Sequence, residues 1–121
     1  MFDLRFNRVQ VAIADGRLDE ACELMKDPSI RAHRAGQKLL TQLVKAYVRR
    51  GQEHLAAERI APALDDCNRA EKLAGNMPAV MELRSAVCRA IEAQRLAAQQ
   101  KAQQLEQGRR QLQNGWLSAG Q

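Results

Sequence analysis

Residues 47–78 read YVRRGQEHLAAERIAPALDDCNRAEKLAGNMP, and this stretch decides the fold of the chain. Small residues alternate in it with bulkier ones at regular distances, and these positions are Tyr47, Gly51, His54, Ala63, Cys67 and Ala70. Small residues let two antiparallel helices approach closely, while large residues fill the space between them. The stretch therefore predicts two antiparallel helices in contact.

The proline in this stretch indicates where the turn between the two helices lies. If Gly51 formed the turn, Pro62 would lie inside a helix, at a cost of about 3 kcal/mol through a lost hydrogen bond and a steric clash. A turn at residues 57–59 starts the next helix near Ile60 instead, so that Pro62 falls in its first turn and costs little. We therefore predict the turn at residues 57–59, with Glu58 in a position that usually favours glycine.

The spacing resembles the tetratricopeptide repeat, a helix-turn-helix unit of about 34 residues. The resemblance is best over residues 44–77, and a weaker unit occurs earlier in the chain, at Gly16, Leu18, Ala21 and Met25. In this family antiparallel helical hairpins stack into an α-α superhelix, and the groove of the superhelix binds a peptide or a partner protein. The resemblance implies about two and a half irregular repeats followed by a long C-terminal helix.

The composition predicts an all-α fold. A chain of 121 residues is long enough for one hydrophobic core. Its abundant Ala, Leu, Gln, Arg and Glu are strong helix formers, and no run of Val, Ile or Thr alternates with polar residues.

The cysteines and the hydropathy pattern limit the classes of protein to which the chain can belong. Cys22, Cys67 and Cys88 lie inside apolar helical patterns without a CxxC pair, so we expect reduced core residues and no metal site. No signal peptide and no apolar run of about 18 residues occur, so we expect a cytoplasmic protein without a membrane partner.

Hydrophobic periodicity divides the remaining chain into helices. The predicted helices cover residues 3–15, 18–25 and 30–57, followed by one from Ile60 and one from residue 78 to about residue 113. The helix over residues 30–57 is predicted to be continuous. Asn76 is expected to cap the last helix, which Pro78 begins.

The C-terminal region predicts a boundary. Asn114-Gly115 repeats the pattern of Asp15-Gly16, which suggests that a further hairpin begins there and that the chain is a piece of a longer protein. We therefore expect a tetratricopeptide-like domain over residues 1–91, and an extended polar helix with the start of that hairpin over residues 92–121. Apolar residues recur every seven positions in this helix, at Ile91, Ala98, Leu105 and Leu112. The complementary coiled-coil positions are polar or glycine, so this signal for oligomerisation is weak.

Basic residues are concentrated in one segment. Residues 31–60 hold seven basic and two acidic side chains, which equals the net charge of +5 of the whole chain. Five of the basic residues fall within about 60° of one another on a helix, over roughly 27 Å. This basic stripe consists of Arg31, Arg34, Lys38, Lys45 and Arg49. It is either a solvated helix face or a platform for an acidic peptide or for phosphates.

The resemblance also implies a partner-binding groove. In the repeat family, residues of the first helix of each hairpin line that groove. Carried over by position, they are Phe6, Gln10, Ile13, Lys45, Val48, Gln52, Leu55, Glu82 and Arg89. Lys45 belongs both to this groove and to the basic stripe.

Catalysis has no support in the sequence. His54 takes the aromatic position of the repeat, and Asp65 and Asp66 point about 100° apart on a helix, so they cannot act as a carboxylate pair. Phosphate loops and HExxH or GxSxG motifs are absent. We predict no enzyme and no cofactor, but a scaffold or adaptor module that binds a protein or peptide within a larger cytoplasmic protein. The alternatives are a nucleic-acid-binding helical domain that uses the basic stripe, or a structural oligomerisation module.

Overall fold

The computed structural model describes residues 4–119, with side chains up to residue 115, and every regular element in this range is an α-helix. The helices are α1 Leu4–Ala14, α2 Leu18–Leu24, α3 Pro28–Ala32, α4 Arg34–Ala56, α5 Ile60–Ala74 and α6 Pro78–Ala119. The all-α prediction is therefore confirmed. The chain divides into two compact units, one up to residue 87 and one from residue 88. None of the described helices combines the length and the apolar character that crossing a bilayer requires.

The turn between α4 and α5 lies at residues 57–59, as predicted. Glu58 adopts a left-handed conformation with φ of 60°, which costs a residue with a Cβ atom about 1 kcal/mol. The backbone N–H of Arg59 donates to the carbonyl of His54 at 2.8 Å and closes the end of α4. Pro62 falls in the first turn of α5, where its missing N–H leaves no hydrogen bond broken.

The hairpin of α4 and α5 forms the centre of the first unit. Ala63 and Ala70 are fully buried, as their role as small contact residues requires. Gly51 of α4 serves a similar purpose, because a Cβ atom there would come within 2.9 Å of the Leu83 side chain of α6. The buried apolar residues contributed by α4 are Leu39, Leu43, Val44, Tyr47 and Val48.

The prediction of one continuous helix over residues 30–57 is wrong, because His33 interrupts the helix. His33 is extended, with φ of −82° and ψ of 144°, and separates α3 from α4. Its Nδ1 accepts the backbone N–H of Ala35 at 3.1 Å, and its ring packs on Phe6 with centroids 4.9 Å apart. The imidazole therefore caps α4 while α1 holds it in place. The break also puts Arg31 on α3, so the basic stripe is not the face of one continuous helix.

The short helix α3 is stabilised at both ends. Asp27 caps its first turn by accepting the Ser29 N–H at 3.0 Å. Hydrogen bonds from the Ser29 hydroxyl and N–H, with a smaller contribution from Arg5, lower the pKa of Asp27. At the other end, the backbone of Ile30 lies so close to Gly36 of α4 that a Cβ atom at position 36 would overlap the Ile30 carbonyl oxygen.

Helix α6 begins at Pro78, as predicted, and its first three turns belong to the first unit. Met77, rather than Asn76, occupies the cap position, since its carbonyl accepts the N–H groups of Val80 and Met81 at 3.1 Å. The buried residues of this part of α6 are Val80, Leu83 and Val87. Arg84 ties α6 to α5 through Asn68 at 2.6 Å and through Glu71.

The second unit is the remainder of α6. From residue 88 to residue 115 no described side chain is buried. The helix passes through Asn114 and Gly115, where we predicted a turn, and continues to Ala119. A glycine inside a helix costs only about 1 kcal/mol, and the helix formers on either side outweigh this cost. The side chains of Trp116 and Leu117, which belonged to the predicted hairpin, lie outside the described residues.

Candidate functional site

A cleft of about 530 Å³ lies between the C-terminal end of α1, the turn that follows it, and one side of α4. Gly16 shapes the turn with φ of 80°, a value that glycine adopts without a Cβ clash. The backbone N–H of Arg17 donates to the Ala12 carbonyl at 2.8 Å and holds the turn against α1. We call this feature the α1–α4 cleft, and its lining residues are Ile13, Ala14, Gly16, Leu18, Gln42, Lys45, Ala46, Arg49, Arg50 and Glu53.

The two walls of the α1–α4 cleft differ in chemistry. The wall formed by α1, its turn and the first residue of α2 consists of apolar side chains and backbone, with Ile13 half-buried and Leu18 buried. The wall formed by α4 is polar and cationic above the small residue Ala46. The cleft can therefore accept an apolar side chain on one wall and an anionic group on the other.

Two exposed cations on α4, one helical turn apart, are available to a ligand. Arg49 Nε lies 3.4 Å from Glu53 Oε1, and both side chains are mostly exposed, so this ion pair is weak. Lys45 forms no ion pair with any side chain that the structure describes. A ligand carboxylate would meet Lys45 directly and would compete with Glu53 for Arg49.

Arg50, by contrast, forms an ion pair with a buried carboxylate beneath the cleft. Its Nε and Nη2 donate to the two oxygens of Asp66 at 2.9 and 2.7 Å. Asp66 is only 1% exposed, and Arg69 Nη1 also donates to it at 3.3 Å. Burying a carboxylate is tolerated only when such partners satisfy it, and the hydrogen bonds that Arg50 donates to Asp66 raise the pKa of Arg50.

The network around Asp66 extends to α2 through a tyrosine. Tyr47 Oη donates to Asp19 Oδ1 at 2.9 Å, and Arg69 Nε lies 3.3 Å from the same oxygen. Burial, together with this hydrogen bond to a carboxylate, raises the pKa of Tyr47 well above its ordinary value. The guanidinium of Arg50 stands 5.4 Å from the centre of the Tyr47 ring. The network therefore joins α2, α4 and α5, which fixes how these helices are rotated against one another.

His54 lies at the edge of this network as a packing residue. Its Nδ1 accepts a hydrogen bond from Arg59 Nε at 3.0 Å, and its Nε2 lies 3.6 Å from Asp66 Oδ2, too far for a hydrogen bond. The predicted divergence of the adjacent aspartates is confirmed, since Asp65 is exposed while Asp66 is buried. No three His, Cys, Asp or Glu side chains in the described part of the chain are placed to share a metal ion.

The cleft brings together only some of the residues predicted from the sequence. Ile13 and Lys45 of the predicted groove line it, as does Arg49 of the basic stripe. Val48 faces the core and is 5% exposed. The ring of Phe6 packs against the imidazole ring of His33. The predicted groove residues that lie outside the cleft are Phe6, Gln10, Val48, Gln52, Leu55, Glu82 and Arg89. The stripe residues outside it are Arg31, Arg34 and Lys38, all exposed.

Four cleft residues on α4 were missed by sequence reasoning, namely Gln42, Ala46, Arg50 and Glu53. Gln42 and Arg49 flank Lys45 at the helical distances of three and four residues, so the helix period was a usable signal for that wall. The repeat resemblance placed Ile13 of α1 in the groove with Lys45, whereas Ala14, Gly16 and Leu18 of that wall were not predicted. Comparisons with family models, with curated proteins and with solved structures find no match to this chain.

Proposed function

We propose that the chain is a tetratricopeptide-like interaction module of a larger cytoplasmic protein, and that the α1–α4 cleft binds an acidic segment of a partner protein. The observation that carries the proposal is the pairing of an apolar wall with a cationic wall across one cleft. In the repeat family that the sequence resembles, the first helices of successive hairpins line the ligand groove. In this proposal α1 and α4 correspond to those first helices, because they begin the α1–α2 and α4–α5 pairs.

The dimensions of the cleft favour an extended ligand. The lining residues of α4 run from Gln42 to Glu53, about 16 Å along the helix axis. A cleft of about 530 Å³ over this length suits an extended segment better than a helix, which with its side chains is about 10–12 Å in diameter. An extended segment of about five residues matches the length.

The charges of the cleft favour acidic side chains on that segment. Lys45 and Arg49 lie about 6 Å apart along α4, which is close to the distance of about 6.6 Å between alternate side chains of an extended peptide. Two acidic residues at alternate positions would face this wall, and the residue between them would face Ile13. Arg50 contributes little, because Asp66 already compensates its charge.

A peptide selection tests whether the cleft is the binding site. Heptapeptides selected on the purified chain from a random library should lose at least about tenfold in affinity when Ala46→Tyr fills the cleft. Ala61→Tyr, an equally bulky change at an exposed position of α5, should leave binding unchanged. Far-UV circular dichroism checks that both variants fold. Selected peptides that bind Ala46→Tyr as well as wild type, or a selection without enrichment, would contradict the proposal.

A charge-reversal pair tests the acidic ligand. Lys45→Glu with Arg49→Glu should abolish binding of peptides with alternate glutamates, and it should favour peptides with alternate lysines. Arg34→Glu with Lys38→Glu changes the net charge equally on the same helix but outside the cleft, so it should retain the original preference. Fluorescence anisotropy at about 150 mM salt measures both effects. Submicromolar, sequence-dependent binding of an oligonucleotide under the same conditions would favour the nucleic-acid alternative instead.

A further inference from the structure

The second unit carries an apolar stripe that nothing in the described chain covers. The stripe consists of the residues that recur every seven positions, Ile91, Ala98, Leu105 and Leu112. Leu105 is 68% exposed and Leu112 is 73% exposed, as expected of leucines on a helix face that packs against no other helix. Seven-residue spacing drifts by only about 20° per repeat on a straight helix, so the four residues stay on one face. This face has only one of the two apolar positions of a coiled coil, so a partner helix would have to supply apolar residues at both of its own.

Cations flank this stripe on the same face. Arg95 and Arg109 lie four residues after Ile91 and Leu105, beside the stripe, and Lys101 occupies a position where a coiled coil usually has a second apolar residue. Residues 88–115 hold five basic and two acidic side chains, a net charge of +3. The two acidic residues, Glu92 and Glu106, lie further round the helix and pair within it, with Arg95 at 2.6 Å and with Arg109 at 2.9 Å.

A second copy of the chain is a poor occupant of this face. In a parallel pair, each Lys101 would meet the Lys101 of the other copy in the core of the interface. In an antiparallel pair that superimposes the two stripes, Ile91 faces Leu112 and Arg95 faces Gly108, so Arg109 of the other copy lies one residue away from Arg95. Both arrangements bring like charges together, which destabilises a helix pair.

We propose that residues 91–112 of α6 form a coiled coil with an acidic helix of another protein, which presents apolar residues every seven positions and carboxylates opposite Arg95, Lys101 and Arg109. This interaction is independent of the α1–α4 cleft. A membrane surface fits less well, because the apolar face is a single narrow line interrupted by Gln94, Lys101 and Gly108.

The helix itself offers a matched pair of variants. Leu96 is 45% exposed and lies about 170° from the middle of the stripe, on the opposite face. Leu96→Glu therefore makes the same chemical change as Leu105→Glu without touching the stripe. Both side chains are exposed, so neither substitution removes a buried contact.

The experiment titrates the full chain with a synthetic peptide of four heptads that has leucine at both core positions and glutamate at the flanking ones. Isothermal titration calorimetry should detect binding to the wild type and to Leu96→Glu. Leu105→Glu should weaken it by at least about tenfold. A peptide with lysine in place of glutamate should not bind, and added salt should weaken the acidic complex.

Each of the other outcomes overturns the proposal. Lack of binding of the acidic peptide at about 100 μM would exclude such a partner. A concentration-dependent dimer in sedimentation velocity that Leu105→Glu abolishes would assign the stripe to a second copy. Stronger binding to vesicles containing phosphatidylserine than to the peptide, lost in Leu105→Glu, would assign it to a membrane surface.

Discussion

Residues 4–87 and residues 88–115 are built from the same helix-forming residues but are held in helical form by different interactions. In the first region the helices bury apolar residues against one another and enclose an ionic network around Asp66. In the second region no described side chain is buried. The helix is stabilised there by the helix propensity of its residues and by short-range ion pairs such as Glu92–Arg95. Such pairs contribute only about 0.2–0.5 kcal/mol each.

This difference shows that helix formation and tertiary stability are separate properties of the chain. Substitutions of the same chemical kind should therefore have unlike effects in the two regions. Leucine, glycine and aspartate each occur in contrasting environments, which makes the comparison testable residue by residue.

The largest contrast is expected for leucine. Leu83→Ala removes a side chain that is 1% exposed and packs on Gly51, and it should lower the free energy of unfolding by about 2–5 kcal/mol. Leu105→Ala truncates a side chain that is 68% exposed and should change it by less than about 0.5 kcal/mol. Urea denaturation followed by circular dichroism measures both. Similar losses in the two variants would mean that the exposed helix contributes to the same cooperative core.

Glycine should show effects of opposite sign. Gly36→Ala would force a Cβ atom onto the Ile30 carbonyl, and we expect a loss of about 3 kcal/mol as α3 shifts away from α4. Gly108→Ala meets no atom within 4 Å, so it should raise helicity and stabilise its helix by up to about 1 kcal/mol. Thermal melts of both variants test this. A stable Gly36→Ala protein would show that α3 can move without cost.

The adjacent aspartates compare a buried with an exposed carboxylate inside the first region. Asp66→Asn removes the charge that Arg50 and Arg69 bind, and it should lower the free energy of unfolding by about 2–3 kcal/mol. The loss is not larger because Arg50 is partly exposed, so water can solvate its charge. Asp65→Asn should stay within about 0.5 kcal/mol of wild type. Chemical denaturation of the two variants side by side is the measurement. Equal stabilities would mean that water compensates Arg50 when Asp66 is neutral.

The smallest effect concerns Tyr47 and depends on pH. Tyr47→Phe removes the hydrogen bond to Asp19 and should cost about 1 kcal/mol at neutral pH. The folded protein raises the pKa of Tyr47 above its ordinary value of 10.0, so it holds the phenol proton more tightly than the unfolded chain does. This contribution is complete below about pH 10 and is lost as the pH rises towards the folded pKa. Wild-type stability should therefore fall more steeply than that of Tyr47→Phe between pH 9 and pH 11. If the stability of the two proteins changed equally with pH, the assignment of this pH dependence to Tyr47 would be wrong.

Parts of the fold that depend on neighbours in the chain were predictable. Pro62 located the turn at residues 57–59, because proline is tolerated in the first turn of a helix and not inside it. Pro78 located the start of α6 for the same reason. The end at Asn114-Gly115 was mispredicted because a single glycine weakens a helix without ending it.

The candidate site was predictable in part, since the repeat resemblance placed Ile13 of α1 and Lys45 of α4 in one groove. Lys45 and Arg49 follow from the helix period, but Val48 was assigned to the groove although it faces the core. A helix period gives relative directions around an axis, whereas the absolute rotation of α4 depends on the helices packed against it. Here Tyr47 and Arg50 set that rotation through Asp19 and Asp66.

The sequence by itself determined that this chain is helical, where most helices begin and end, and which residues are small enough for close packing. These properties arise from backbone sterics, propensity and hydrophobic period, which act over a few neighbouring residues. Only the tertiary structure decided the break at His33, the burial of Asp66 and the pairing of an apolar with a cationic wall in the α1–α4 cleft. Each of these three features depends on contacts between helices that are distant in sequence. Such contacts contribute to stability only after the helices have packed together.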